Sequence, residues 1–184
     1  RAEQTLRASI ERTRTILKTN SDDRNRIRRL LALRDEANRL TDWDAMAKAS
    51  AGAHWGAMSA LQRSRFVHSF RELLLSYHLI TLDRVESQPM PPLSVAEAED
   101  RDSIWVEMHL AHRFFPIVIG FLVNRADQVV DIRAAGFRLS EHARETLTLA
   151  IGRDGLDSTL VRLEHKAAAA RRQLDAEQVF KPSP

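Results

Sequence analysis

The chain has 184 residues, 43% of them apolar, which is enough for one domain with its own hydrophobic core. Lys and Arg number 28 against 25 Asp and Glu, a formal charge of only +3, so the nominal basicity does not describe a dense nucleic-acid-binding face. The absence of cysteine excludes disulfide scaffolds, Cys-ligated zinc, iron–sulfur centres and thiol catalysis, and six glycines with six prolines are too few for a disordered or collagen-like chain.

Residues 1–51 contain neither glycine nor proline. Leu6, Ile10 and Leu17, then Ile27, Leu30, Leu31 and Leu33, recur at helical spacings and predict helices over 2–19 and 22–40. Ser21 with Asp22 and Asp23 supplies an N-cap and acidic first turn for the second. Thr41 opens a short helix over about 42–51, ending at Gly52. Ser59-Ala-Leu-Gln62 reads as a capping box that starts a long amphipathic helix over 59–82. Its expected apolar face is Phe66, Phe70, Leu73, Leu74, Tyr77 and Ile80.

The period then changes. Ile104, Val106, Met108 and Leu110 alternate with Trp105, Glu107 and His109, a strand pattern. Phe115–Val123 reads as a second strand, and Gln128–Phe137 as a third with Val130, Ile132 and Ala134 on one side and Asp131 and Arg133 on the other. Thr81–Ser87 is a candidate fourth strand, and Asn124–Asp127 a hairpin loop. No helix separates these strands, so the sheet should be antiparallel. Ser140 is placed as the cap of a helix over 140–152, broken by Gly152 and Gly155, and a last helix runs from 155 into the 170s.

The expected fold is α+β, with N- and C-terminal helices packed on a twisted antiparallel sheet of about four strands. It forms one domain over 1–184: helices in 1–51, the central helix at 59–82, the sheet over 83–137, helices over 140–176 and a tail at 177–184. The longest apolar run, Phe114–Val123, is about half of what spans a bilayer. No signal peptide is visible, and because the chain begins at Arg1 a targeting segment is expected to have been removed.

The strand Phe115–Val123 lacks the wet face that an antiparallel strand normally shows. Either helices cover it on both sides or one side lines an apolar pocket. Candidates for chemistry are few. His109 and His112 stand three apart on a strand, on opposite faces, a poor metal pair. Asp100-Arg-Asp102 reads as a solvated loop cluster. There is no phosphate-binding glycine loop, no GxSxG and no HExxH. Arg24, Arg26, Arg28 and Arg29 read as a solvated helix face or a docking surface for an acidic partner.

Gly52-Ala-His-Trp55, followed by Gln62-Arg63, Phe66, Phe70, Leu73-Leu74 and Tyr77, resembles a signature of the MlaC/toluene-tolerance family. Val130-Asp131 with Gly136-Phe-Arg-Leu139 and Arg144 resembles a second, and Ile151-Gly-Arg-Asp-Gly155-Leu-Asp157 with Leu160 and Leu163 a third. The pieces cover about residues 25–170. The sequence departs from the pattern at Asp127, where a tryptophan is usual, at Arg138 in place of a serine and at Ala143 in place of a tyrosine. Gly120-Phe121 stands where an Asp-Tyr pair is usual, which marks a divergent member.

The resemblance implies a periplasmic, monomeric phospholipid carrier of an ABC lipid-transport system, without catalysis, metal or cofactor. Its partners would be inner- and outer-membrane complexes. One branch of the family accompanies hopanoid biosynthesis, which makes a hopanoid an alternative ligand. The implied lipid-binding residues are Trp55, Phe66, Phe70, Leu74 and Tyr77 from the helical side and Met108, Ile117, Ile119, Phe121 and Ile132 from the sheet. The same side chains could equally form an ordinary core. Two other readings stand beside the carrier. One is a ligand-free helical interaction module. The other is a cystatin-like enzyme using Asp131, His109 or Tyr77 on a small apolar substrate.

Overall fold

A computed structural model of the protein describes residues 1–19, 26–84, 91–96, 102–110 and 117–179. Helices α1 (Ala2–Thr19) and α2 (Arg26–Leu40) form an antiparallel hairpin. Glu36 of α2 ties them, accepting hydrogen bonds from Ser9 and Arg12 of α1 and from Arg39 one turn along its own helix. The cap expected at Ser21–Asp23 lies outside the described residues. Helix α3 (Trp43–Ala51) starts at Asp42, whose side chain accepts the Ala45 N–H at 2.9 Å. A single turn, α4 (His54–Ala57), follows.

Helix α5 (Ala60–Arg84) opens with the reciprocal bonds of a capping box: the Ser59 N–H to Gln62 Oε1 at 2.8 Å, and the Gln62 N–H to Ser59 Oγ at 3.2 Å. The helix continues through Thr81–Arg84, so the strand expected from Thr81 is absent there; Val85–Ser87 lie outside the described residues. No glycine or proline interrupts that stretch, and Leu79, fully buried with Leu30, Leu33 and Leu174, anchors the helix just before it.

The sheet is a five-stranded antiparallel meander: β1 (Leu93–Ala96), β2 (Ser103–Leu110), β3 (Ile117–Asn124), β4 (Val129–Ala134) and the two-residue β5 (Phe137–Arg138). The extra strands relative to expectation are these short edge pieces, too brief to show a period. The hairpin at Asn124–Asp127 is as expected. Asn124 Oδ1 accepts the N–H groups of Ala126 and Gln128 at 3.0 Å each, and Asp127 takes the left-handed φ of 60° that closes the turn.

Helix α6 (Leu139–Asp154) corrects one assignment, because Ser140 does not cap it. Asp131 of β4 takes that role across the chain, accepting the Ser140 N–H at 3.1 Å and the Ser140 hydroxyl at 2.6 Å. A buried carboxylate thus sits at a helix N-terminus, where the backbone dipole favours it. Gly155, at φ 79°, ends α6, and α7 (Leu156–Val179) runs parallel to α5. Gln62–Asp157, Arg65–Glu164 and Arg171–Glu72 pair the two helices in register. This second neighbour changes which side of α5 is inside. Leu75, Ser76 and Leu79 are fully buried, whereas Tyr77, expected on the apolar face, is 54% exposed.

Candidate functional site

Strand alternation and register divide the sheet into two unlike faces. On one, Met108 pairs with Leu93 and Ile119, Val106 with Val95 and Phe121, Ile104 with Val123 and Leu110 with Ile117; Ile132 and Ala134 continue it beside Phe121 and Ile119. Every described side chain of that face is apolar. A β-bulge between the Leu122–Asp131 and Val123–Val129 pairs adds Val129, which takes the core position expected for Val130. The bulge is what allows Val129 to enter the core while Asp131, two residues on, sits on the other face beside Leu122.

Burial along the apolar face is graded. At one end Val106, Val123 and Val129 are almost wholly buried beneath Leu6 of α1, Met46 and Ala47 of α3, and Phe66 and Phe70 of α5. The two phenylalanine rings lie nearly parallel, 5.6 Å between centroids. Trp55, Leu74, Phe121 and Ile132 pack on the edge of this cluster. Toward the other end Met108, Leu110, Ile117 and Ile119 are only partly buried, and Val95 is exposed. Six of the ten expected lipid-binding residues, Trp55, Phe66, Phe70, Leu74, Phe121 and Ile132, therefore meet in one cluster. Met108, Ile117 and Ile119 extend the same face beyond it, and Tyr77 is largely in solvent.

The opposite face is charged. Glu107 pairs with Arg133, whose guanidinium lies 4.2 Å from the centre of the buried Trp105 ring; that of Arg138 lies 5.4 Å from it. Arg138 also bonds Asp131, and Ser94 meets His109 at 2.8 Å. Gly120 explains how this fits. A Cβ there would stand 2.6 Å from Arg133 Cγ, so the missing side chain is what lets the arginine lie flat on the strand. The strand without a wet face is thus covered on its second side by arginine stems, a solution that neither sequence-based alternative contained. Asp131 and His109 lie on this charged face, pointing away from the apolar one.

The motif residues mostly bond to one another. Arg63 donates to the Trp55 carbonyl at 3.0 Å and lies 5.4 Å from the centre of its ring. Gln62 donates to Asp157 at 2.8 Å, Asp131 holds Arg138 and Ser140, and Arg144 lies against Gly52. The Gln62–Asp157 and Arg144–Gly52 brackets join elements far apart in the chain, and sequence spacing alone did not reveal those pairings. A surface groove of about 550 Å³ between α5 and α7 is lined by Arg65, His68, Glu72, Glu164, Arg171 and small residues, a polar setting unsuited to acyl chains. Among the described residues no group of three or more His, Asp or Glu could hold a metal ion.

Residues 7–165 match the profile of a family described as MlaC protein. No curated protein matches the chain. Among solved structures, a phospholipid-binding protein from Ralstonia solanacearum, determined in complex with a phospholipid, aligns with a TM-score of 0.74 and 18% identity over 92% of this chain and 98% of that one. At that identity the likeness establishes the fold.

Proposed function

This chain belongs to the MlaC family, and on that premise we propose that it is a lipid carrier that holds a phospholipid by its acyl chains on the apolar sheet face. The observation that carries the reading is that face itself: among the described residues it has no polar side chain, yet Met108, Leu110, Ile117 and Ile119 on it are only partly buried. An antiparallel sheet with a partly exposed face normally alternates polar residues there. Two acyl chains with about thirty methylenes represent roughly 24 kcal/mol of transfer free energy at ~0.8 kcal/mol per CH₂, so the chains need a deep dry site. In this reading Met108, Ile117 and Ile119 contact the chains first, and Phe121, Ile132, Leu74, Phe70 and Phe66 form the inner wall. Trp55 and Tyr77 flank the helical side.

The Ralstonia protein of the same fold, solved with a phospholipid, supports the ligand class. No described helix is long and apolar enough to cross a membrane, and family membership favours a periplasmic shuttle between inner- and outer-membrane complexes. No catalytic step is required. Asp131, the acid offered for an enzyme, is buried and engaged by Ser140 and Arg138 on the far side of the sheet. A hopanoid is the second reading. Phe121, on the apolar face, stands where the resemblance expects a tyrosine, so that position lacks a hydroxyl. Titration with a phospholipid carrying a fluorescent acyl chain tests the site. Saturable binding to the native chain that weakens in Ile119→Asp supports it. Equal binding by a folded Ile119→Asp variant refutes it.

A further inference from the structure

The apolar sheet face extends past the residues named so far. Register carries one row of partners across all five strands: Leu93, Met108, Ile119, Ala134 and Phe137. The neighbouring row holds Val106, Phe121 and Ile132, which belong to the packed cluster or its edge. The Leu93–Phe137 row is more open. Leu93, Met108 and Ile119 are partly buried, Ala134 is exposed and Phe137 is 74% exposed. The hairpin nevertheless holds Phe137 in place. The turn between Ala134 and Phe137 has two residues, Ala135 and Gly136, with φ 50° and 81°, the left-handed pair that matches strand twist. On the charged face the next residue, Arg138, bonds Asp131 at 3.1 Å and lies 5.4 Å from the centre of the Trp105 ring. Alternation therefore sets Phe137 on the apolar face. Ala134, with a single methyl group, leaves a dip in the row between Ile119 and Phe137.

We propose that Phe137 is a further cargo-contacting residue that sets acyl-chain length: one chain of the phospholipid crosses the strands along this row, seats in the dip at Ala134 and ends against the Phe137 ring. The inference rests on the lipid-carrier reading and deepens it. The row is continuous with Met108 and Ile119, the residues placed first on the acyl chains. Its length suits the ligand, because four steps between neighbouring strands span about 19 Å, the reach of an extended long acyl chain. Its chemistry suits an apolar occupant alone. A headgroup lying along it would meet no side-chain hydrogen-bond partner among Leu93, Met108, Ile119, Ala134 and Phe137, and would lose its water without replacement. An acyl chain there gains burial at every step and covers the exposed ring.

Competition between two lipids tests this. Native mass spectrometry of the chain loaded from an equimolar mixture of dilauroyl- and dipalmitoyl-phosphatidylglycerol gives the ratio of the two occupancies. The native chain should prefer the longer lipid. Phe137→Ser should lower that preference about tenfold, the loss expected when about two methylenes return to water. Phe137→Leu, which stays apolar, should keep most of it. Leu149→Ser, at an equally exposed position on α6, should keep all of it. Urea midpoints confirm that the variants remain folded, as substitutions at exposed positions should. An unchanged ratio in folded Phe137→Ser overturns the proposal. So does an equal loss of both lipids, which would show that the ring does not measure length. So does a native dimer that Phe137→Ser dissolves, which would make the ring a contact between two copies. Uptake of both lipids with no effect at Phe137 refutes this inference alone, whereas uptake of neither by the native chain refutes the carrier reading with it.

Discussion

Arg144 of α6 lies across the bare Cα of Gly52 at the end of α3, and its guanidinium donates to the Ala49 carbonyl at 3.1 and 3.3 Å. A Cβ on residue 52 would stand 2.7 Å from Arg144 Cδ, and the backbone there has φ 54° and ψ −130°, a region closed to L side chains. The two residues belong to separate signature motifs 92 positions apart, and together they fasten α3 to α6. Gly52→Ala should therefore destabilise the fold by about 2–3 kcal/mol, and Arg144→Ala by about 1 kcal/mol. In a denaturation cycle the double variant should cost less than the sum, because removing the arginine relieves the clash but not the backbone strain. Strict additivity would show that the arginine does not pack on the glycine.

Glu36 links stability to pH. Burial alone would raise its pKa, but hydrogen bonds from Arg39, Arg12 and Ser9 outweigh burial and lower it to about 2 from an ordinary 4.5. A depressed carboxylate contributes stability that is fully present above the unfolded-state value and is lost as pH falls through the folded one. The protein should lose about 2–3 kcal/mol between pH 5 and pH 2 from this group, and Glu36→Gln should flatten that part of the profile. Urea midpoints measured across the range check it. An unchanged slope in the variant would place the acid sensitivity elsewhere.

Gly120 gives a test of the charged sheet face. Gly120→Ala should push Arg133 off the strand, separate it from Glu107 and withdraw its cation from Trp105, costing about 1–2 kcal/mol and altering indole fluorescence. A Trp43→Phe/Trp55→Phe background isolates the Trp105 signal. An unaltered spectrum would mean that the arginine does not depend on the missing side chain.

The capping box is expected to behave differently at its two ends. Ser59→Ala should cost about 1 kcal/mol, the usual value of an N-cap. Gln62→Ala should cost more, because the Gln62 amide also bridges to Asp157 on α7. Equal thermal shifts would make that bridge negligible, as exposed polar contacts sometimes are.

Much of this architecture was legible because local chemistry dictates it. The Ser59–Gln62 box, the 2–19 helix, the Asn124 turn and the β2 alternation all report on neighbours within a few residues. What the sequence hid was long-range. Tyr77 falls on the apolar stripe of α5 by spacing, yet α7 and α2 bury the Leu75–Leu79 side instead. Ser140 has the right residue type for a cap, but a carboxylate nine positions earlier, on β4, displaces it from that role. Arg133 covering Gly120 could not be read from a strand that merely looked too apolar. The lining residues of the candidate site have the same types as a core, so their burial gradient, not their identity, distinguishes them.

The resident ligand tests the central claim most directly. Native mass spectrometry of the chain purified from a bacterial expression host, followed by organic extraction, should show a bound species with the mass of a phospholipid. Ile119→Asp should reduce its occupancy without unfolding the protein. A fully ligand-free spectrum from gently purified, folded protein, with no uptake from added phospholipid or hopanoid, would contradict the account.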